Sequence, residues 1–200
     1  NNIGVNSDEV SYESTLINAV KMCDFAKVCL ILQHPKFDNN RSKINEAIRI
    51  SSSSNTEKGN KICNKLLDYS DIKFGFNTVL NQKNIEMITK ILNDPKFEFN
   101  YEVFDMTINQ LSYFPADQIT QLFILLCIYA KERIDSFDAN RLLSNGKTIF
   151  TFIMTIYYID FNEIADVLLD CGANPNIPDK FGNYPLELAM KSKNMNLITD

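Results

Sequence analysis

The 200-residue chain is short of the residues that end strands. Its six glycines and six prolines fall well below average usage of roughly 7% and 5%, so a β-sandwich or barrel, which needs turn residues at every strand end, is poorly supplied. The composition points to an all-α chain. There is one histidine, His34, and every His-dependent triad, dyad or multi-histidine metal site must use it or be rejected. Neither G-x-x-x-x-G-K-[ST] nor G-x-G-x-x-G occurs, and Lys58-Gly59-Asn60-Lys61 lacks the preceding glycine loop that would cradle a phosphate. The five cysteines, at 23, 29, 63, 127 and 171, form no C-x-x-C pair. They read as reduced, mostly buried thiols of a cytoplasmic protein, and Cys23 with Cys29 has no third or fourth ligand close by for zinc. No Lys/Arg run is present, and a net charge of −5 gives no general attraction to phosphate backbones. Nucleic acid is therefore not an expected partner. The longest apolar stretch, Leu122 to Ala130, is about half of the ~20 residues a membrane helix requires, and no membrane span is expected. The chain starts Asn-Asn with neither an initiator Met nor a charged-then-apolar leader, as a mature form or a cut piece would.

What the chain does contain is ordinary globular material, 45% apolar and 22% charged, enough for one domain or a short solenoid with a sizeable core. It also repeats itself. Ile31-Leu32-Gln33-His34-Pro35-Lys36-Phe37 returns as Ile91-Leu92-Asn93-Asp94-Pro95-Lys96-Phe97, with a looser copy from Leu66 to Phe74 between them. The exchange of His34 for Asp94 between copies marks an exposed turn position. Further apolar doublets stand at Leu125-Leu126 and Leu168-Leu169, and the successive spacings of 35, 25, 34 and 43 residues describe a degenerate but periodic array.

Upstream of the doublets, apolar residues recur at helical spacing. Leu16, Ala19 and Val20 precede Phe25, Val28, Ile31 and Leu32, with a break near Cys23-Asp24. Phe76, Val79 and Leu80 precede Ile85, Ile88, Ile91 and Leu92, with a break at Gln82 to Asn84. Each unit is predicted to be a helix hairpin. One pair cannot cover its own apolar face, so pairs are expected to stack into a continuous core across residues 1–200 as a single domain. Pro35 and Pro95 stop the second helices. Residues 51–61, polar and without periodicity, read as a flexible insertion between the two helices of the second unit.

From Ile164 the chain runs IADVLLDCGANPNIPDKFGNYPLELAMKSKNMNLI, and this stretch resembles the ankyrin repeat. Ile164, Leu168, Leu169, Gly172, Ala173 and Asn176 match one half of the family pattern. Asp179, Gly182, Tyr184 in place of Thr, Pro185, Leu186 and Ala189 match the other. Gly172 suits a left-handed helix end, and Pro185 suits a first helical turn that can spare its N–H. Gly146 to Phe150 with Ile153 resembles the opening of the preceding repeat, while Ser14-Thr15-Leu16 with Ala19 and Ser42-Lys43-Ile44 with Ala47 are weaker versions. The earlier units lack the Gly-x-Thr-Pro-Leu-His signature, no unit has its His, and Asn100 to Asn145 departs from the pattern. The resemblance implies an all-α, ankyrin-repeat-like solenoid of about five helix pairs plus a truncated sixth.

No catalytic constellation is found, and no metal, cofactor or enzymatic activity is expected. The resemblance implies a monomeric module that binds another protein through the concave face and the projecting turns, the fingers, between repeats. Carried onto the matching repeats, the contact positions are Ser144, Asn145, Lys147, Thr155 and Ile156, then Lys180, Phe181, Asn183, Lys191 and Ser192. Tyr158 joins them because the adjacent Tyr157 and Tyr158 cannot both face inward on one helix, and Tyr is enriched at interfaces. Phe181 stands out as an aromatic at a finger tip. The alternative is the recognition arm of a larger effector or enzyme, acting in a host cytosol, with its chemistry in a domain outside this chain. A further alternative is an enzyme on another helical fold, with its site in the irregular stretch from Asn100 to Asn145.

Overall fold

The computed structural model describes residues 12–35, 37, 41–156 and 161–191. All its regular elements are helical, with no strand among the described residues. The chain divides into two compact units, one within Asn1–Phe97 and the other within Glu98–Asp200.

The first unit holds three helix pairs, α1 (Tyr12–Lys21) with α2 (Phe25–Leu32), α3 (Arg41–Ser53) with α4 (Glu57–Leu67), and α5 (Ile72–Asn81) with α6 (Ile85–Leu92). The periodicity that predicts them also decides what they bury. Phe76, Val79 and Leu80 of α5, and Met87, Ile88, Ile91 and Leu92 of α6, are all removed from water, each side chain contributing about 1.5–3 kcal/mol of burial. The pairs lie in two rows, with α1 beside α3 beside α5 and α2 beside α4 beside α6.

The breaks fall where the pattern put them and close in one way. After α1 the Asp24 N–H donates to the Ala19 carbonyl and the Cys23 N–H to Val20. After α5 the Asn84 N–H donates to Val79 and the Lys83 N–H to Leu80. This is the Schellman closure, whose turning residue adopts the left-handed conformation, and Cys23 and Lys83 do so at φ 53° and 57°. The next residue then caps the following helix, the Asp24 carboxylate accepting from the Lys27 N–H and the Asn84 amide oxygen from the Met87 N–H.

Residues 51–61 are not an insertion. Ser51 to Ser53 form the last turn of α3, and α4 begins at Glu57, capped by the Thr56 hydroxyl. Ser51 and Ser52 are buried, as are Gly59 and Asn60. The helix tolerates the serines because their hydroxyls find partners within it, donating back to carbonyls three or four residues earlier, Ser51 to Ala47 and Ile48, Ser52 to Arg49, and Ser53 to Ile50. Gly59 lets α4 approach closely, since a methyl group there would lie 2.7 Å from the Ser51 carbonyl oxygen. The Asn60 amide donates to the Glu86 carboxylate at 2.6 Å. Asn84, which is 0% exposed, donates to the Ser52 carbonyl at 2.9 Å and to the Asn60 amide oxygen at 2.7 Å. A polar tie thus joins the second hairpin to the third.

The second unit holds α7 (Tyr101–Gln110), a 3-10 turn over Leu111–Tyr113, α8 (Ala116–Arg133), α9 (Ile149–Ile153), α10 (Phe161–Asp170) and α11 (Pro185–Lys191). The stretch from Asn100 to Asn145 that departs from the repeat pattern therefore contains a helix pair, α7 and α8, followed by a long turn. α8 packs on α7, on the 3-10 turn and on α10, and α9 packs on α11. Aromatic rings fill one end of this core. The Phe99 ring centroid lies 6.4 Å from that of Phe104 and 6.0 Å from that of Tyr129, and Phe137 meets Phe104 edge-on at 5.4 Å.

Candidate functional site

Two turns of the second unit carry most of the expected contact positions. In the first, the Leu143 N–H donates to the Lys147 carbonyl and the Gly146 N–H to Leu143. In the second, the Asp179 N–H donates to the Asn183 carbonyl and the Gly182 N–H to Asp179. The two fingers are joined directly, because the Lys180 N–H donates to the Gly146 carbonyl at 2.9 Å. Gly146 turns at φ 81°, and the methylenes of Lys180 lie where a side chain at 146 would be, within about 2.0 Å of that position. The first finger is held in turn by α7. The Ser144 N–H donates to the Asp105 carboxylate at 2.9 Å, the Asn109 amide donates to the Ser144 hydroxyl at 3.1 Å, and the Asn145 amide donates to the Asn109 amide oxygen.

Short polar side chains shape these turns from within. Asp138, Asn145, Asn174 and Asp179 each accept the N–H two residues on, which replaces a backbone turn bond with a side-chain one. Asn140 links the bases of the two long connections, its amide donating to the Gly172 carbonyl and its oxygen accepting the Asn174 N–H at 2.7 Å. Asp179 is buried and accepts from the Phe181 N–H and from both the backbone and the amide of Asn183. Burial alone would raise its carboxyl. The Asn183 and Phe181 donors, with the Lys147 charge, outweigh that and hold it below its ordinary value.

The structure brings Ser144, Asn145, Lys147, Lys180, Phe181 and Asn183 into this one pair of fingers. Ser144 and Lys180 are exposed, and Asn145, Lys147 and Asn183 are half-buried. Phe181, at 64% exposure, is the most open of the large apolar side chains in the fingers, and the Lys180 ammonium sits 5.0 Å above its ring. Lys147 turns inward to donate to the Thr155 hydroxyl at 2.9 Å, so both side chains are engaged with each other. Asn183 spends its amide on Asp179. Ile156 is a correction: it is 6% exposed, because α9 ends at Ile153 and the turn after it folds Met154 and Ile156 back into the core. Lys191 is exposed at the end of α11. Tyr158 and Ser192 lie outside the described residues.

Sequence reasoning missed Asp105, Asn109, Asn140, Asn174 and Asp179 as the groups that fix the fingers. The signal was the recurrence of Asp or Asn at turn positions. A cleft of about 290 Å³ opens beside the first finger, lined by Tyr101, Asp105, Arg141, Leu142, Ser144 and Ile149 among others. The Arg141 guanidinium lies 4.5 Å above the Tyr101 ring and forms one wall. Among the described residues, no three His, Cys, Asp or Glu side chains gather closely enough to hold a metal ion, and no helix is long and apolar enough to cross a membrane. No protein-family model matches the chain, and no curated protein matches it.

Proposed function

We propose that the chain is an ankyrin-like array of helix pairs that binds another protein in the cytoplasm, with the fingers of the second unit as its contact surface. The observation that carries this reading is the exposed Phe181 on a finger whose backbone is bonded to its neighbour through Lys180 and Gly146. An aromatic anchor held on a fixed backbone loses little conformational entropy when it is covered, and interface energy concentrates in a few such residues. The cysteines are all free thiols, as suits a reducing compartment.

The test is capture of a partner from source-cell lysate by the whole chain, identification by mass spectrometry, and titration of that partner against wild type and Phe181→Ala. We expect the variant to melt at the wild-type temperature and to bind about thirtyfold more weakly, the effect of losing a hot spot worth about 2 kcal/mol. Unchanged affinity in a folded variant would remove the fingers from the interface.

A further inference from the structure

Cys127 and Cys171 meet where α8 passes the end of α10. Cys127 is buried on α8, while Cys171 is half-exposed in the turn that closes α10. The Cys171 thiol donates to the carbonyl oxygen of Cys127 at 3.8 Å, which sets the two cysteines side by side where α8 and α10 pack together. One helical turn beyond Cys127, the Lys131 ammonium donates to the Asp170 carbonyl at 2.9 Å, which places a positive charge beside Cys171. From this juxtaposition we infer that Cys127 and Cys171 form a reversible oxidation site, in which hydrogen peroxide converts the pair to an intramolecular disulfide that fastens α8 to the end of α10.

The division of labour follows from exposure. Peroxide reaches Cys171 from solvent. The Cys171 thiolate attacks one peroxide oxygen, the O–O bond breaks, and hydroxide leaves, so that Cys171 becomes a sulfenic acid. The buried Cys127 then attacks the sulfenic sulfur as the S–O bond breaks. The hydroxyl leaves with the Cys127 proton as water, and the S–S bond forms. Two thiols have lost two protons and two electrons, and one peroxide has been reduced to two waters. A dithiol reductant reverses the change by exchange at the exposed Cys171 sulfur.

The electrostatics support this order. The Cys127 thiol donating to Cys171, with the Lys131 charge nearby, outweighs burial and the Asp170 carboxylate and brings Cys171 down to about 7, whereas the same contact and burial push Cys127 up. A thiolate near neutral pH is what the first step requires, and in the second Cys127 gives up its proton to the departing hydroxyl as it attacks, so its raised value makes resolution the slower step. Cys63 is the contrast: burial pushes it up to about 11, against the opposing pull of the Ser51 hydroxyl and the Lys90 charge.

The test is to expose the reduced, full chain to hydrogen peroxide, block the remaining thiols by alkylation, and map the digest by mass spectrometry. The expected result is a dithiothreitol-sensitive cross-link between the peptides that carry Cys127 and Cys171. The free-thiol count should fall from five to three, because one bond consumes two thiols. Cys171→Ser should abolish the cross-link. Cys127→Ala, if it folds, should accumulate a dimedone-reactive sulfenic acid at Cys171. Cys171 left as a thiol, carried on to sulfinic acid with Cys127 reduced, or paired to another cysteine would each overturn the inference.

Discussion

The two compact units make the same object, a helix pair, with different connections. In the first unit α4 passes to α5 in four residues, Asp68 to Asp71. In the second, α8 reaches α9 over the whole stretch from Ile134 to Thr148, and α10 reaches α11 from Cys171 to Tyr184. A short link has little backbone to satisfy, and in the first unit the buried amides of Asn60 and Asn84 work between helices, tying one hairpin to the next. A long link must find partners for many N–H and C=O groups outside any helix. In the second unit Asp and Asn supply them from within the turn. Asp94 makes the same turn bond in the first unit, to the Lys96 N–H, but among the described residues only in the second, with its long links, do such bonds recur from turn to turn.

The comparison breaks most visibly at Asn84. Asn84→Ala removes two donors and the cap of α6 in one step, leaving the Ser52 carbonyl and the Asn60 amide oxygen buried without that partner. We expect a loss of about 3 kcal/mol. Urea unfolding, followed by hydrogen exchange in each unit, should locate the loss in residues 41–97. A loss spread equally over both units would mean that the amide tie is not local.

Asp179→Ala is the corresponding cut in the second unit and should cost about 2 kcal/mol, because the charged acceptor of the finger is lost. Its pH dependence carries a sign. The folded carboxyl lies below its ordinary value of 3.8, so its contribution is complete well above that value and is lost as pH falls through the folded value. The stability difference between wild type and Asp179→Ala should therefore be flat from pH 5 to 7 and shrink on acidification below about pH 4. A difference that grows on acidification would contradict the bonding at the finger.

The smallest effects come from the helix closures. Gly172 ends α10 at φ 82° by the bonds that Cys23 and Lys83 make after α1 and α5. A side chain in that conformation costs about 1 kcal/mol relative to glycine. Lys83→Gly should raise the melting temperature slightly, and Gly172→Ala should lower it by a similar amount. Shifts of the same sign would show that the two units do not close their helices alike.

Much of the fold was legible. The 3.6-residue period placed the helices, and the breaks at Cys23-Asp24 and Gln82 to Asn84 were found because an apolar stripe stops there. Residues 51–61 were misread because a serine-rich string looks like loop by composition, while the back-bonding of each hydroxyl to its own helix is a matter of geometry. The candidate site was legible at Gly182, which the repeat pattern contains, and at Phe181, where an aromatic has no core to enter. Ile156 was misplaced because nothing in the sequence announces that α9 stops at Ile153. Asn183 and Lys147 were read as outward-facing, and their partners, Asp179 and Thr155, became evident only once the turns were closed.

The bond from Lys180 to Gly146 also bears on how this chain can be altered. Because the stem of Lys180 rests where a side chain at 146 would stand, the later finger is moulded on the earlier one. Lengthening residues 143–147 by one would carry the Gly146 carbonyl away from its donor and shift the seat of the next finger. The fingers are therefore not cassettes to be exchanged one at a time. A substitution of the Phe181 side chain leaves the bond between the fingers in place, while a change of length at either base is felt by both.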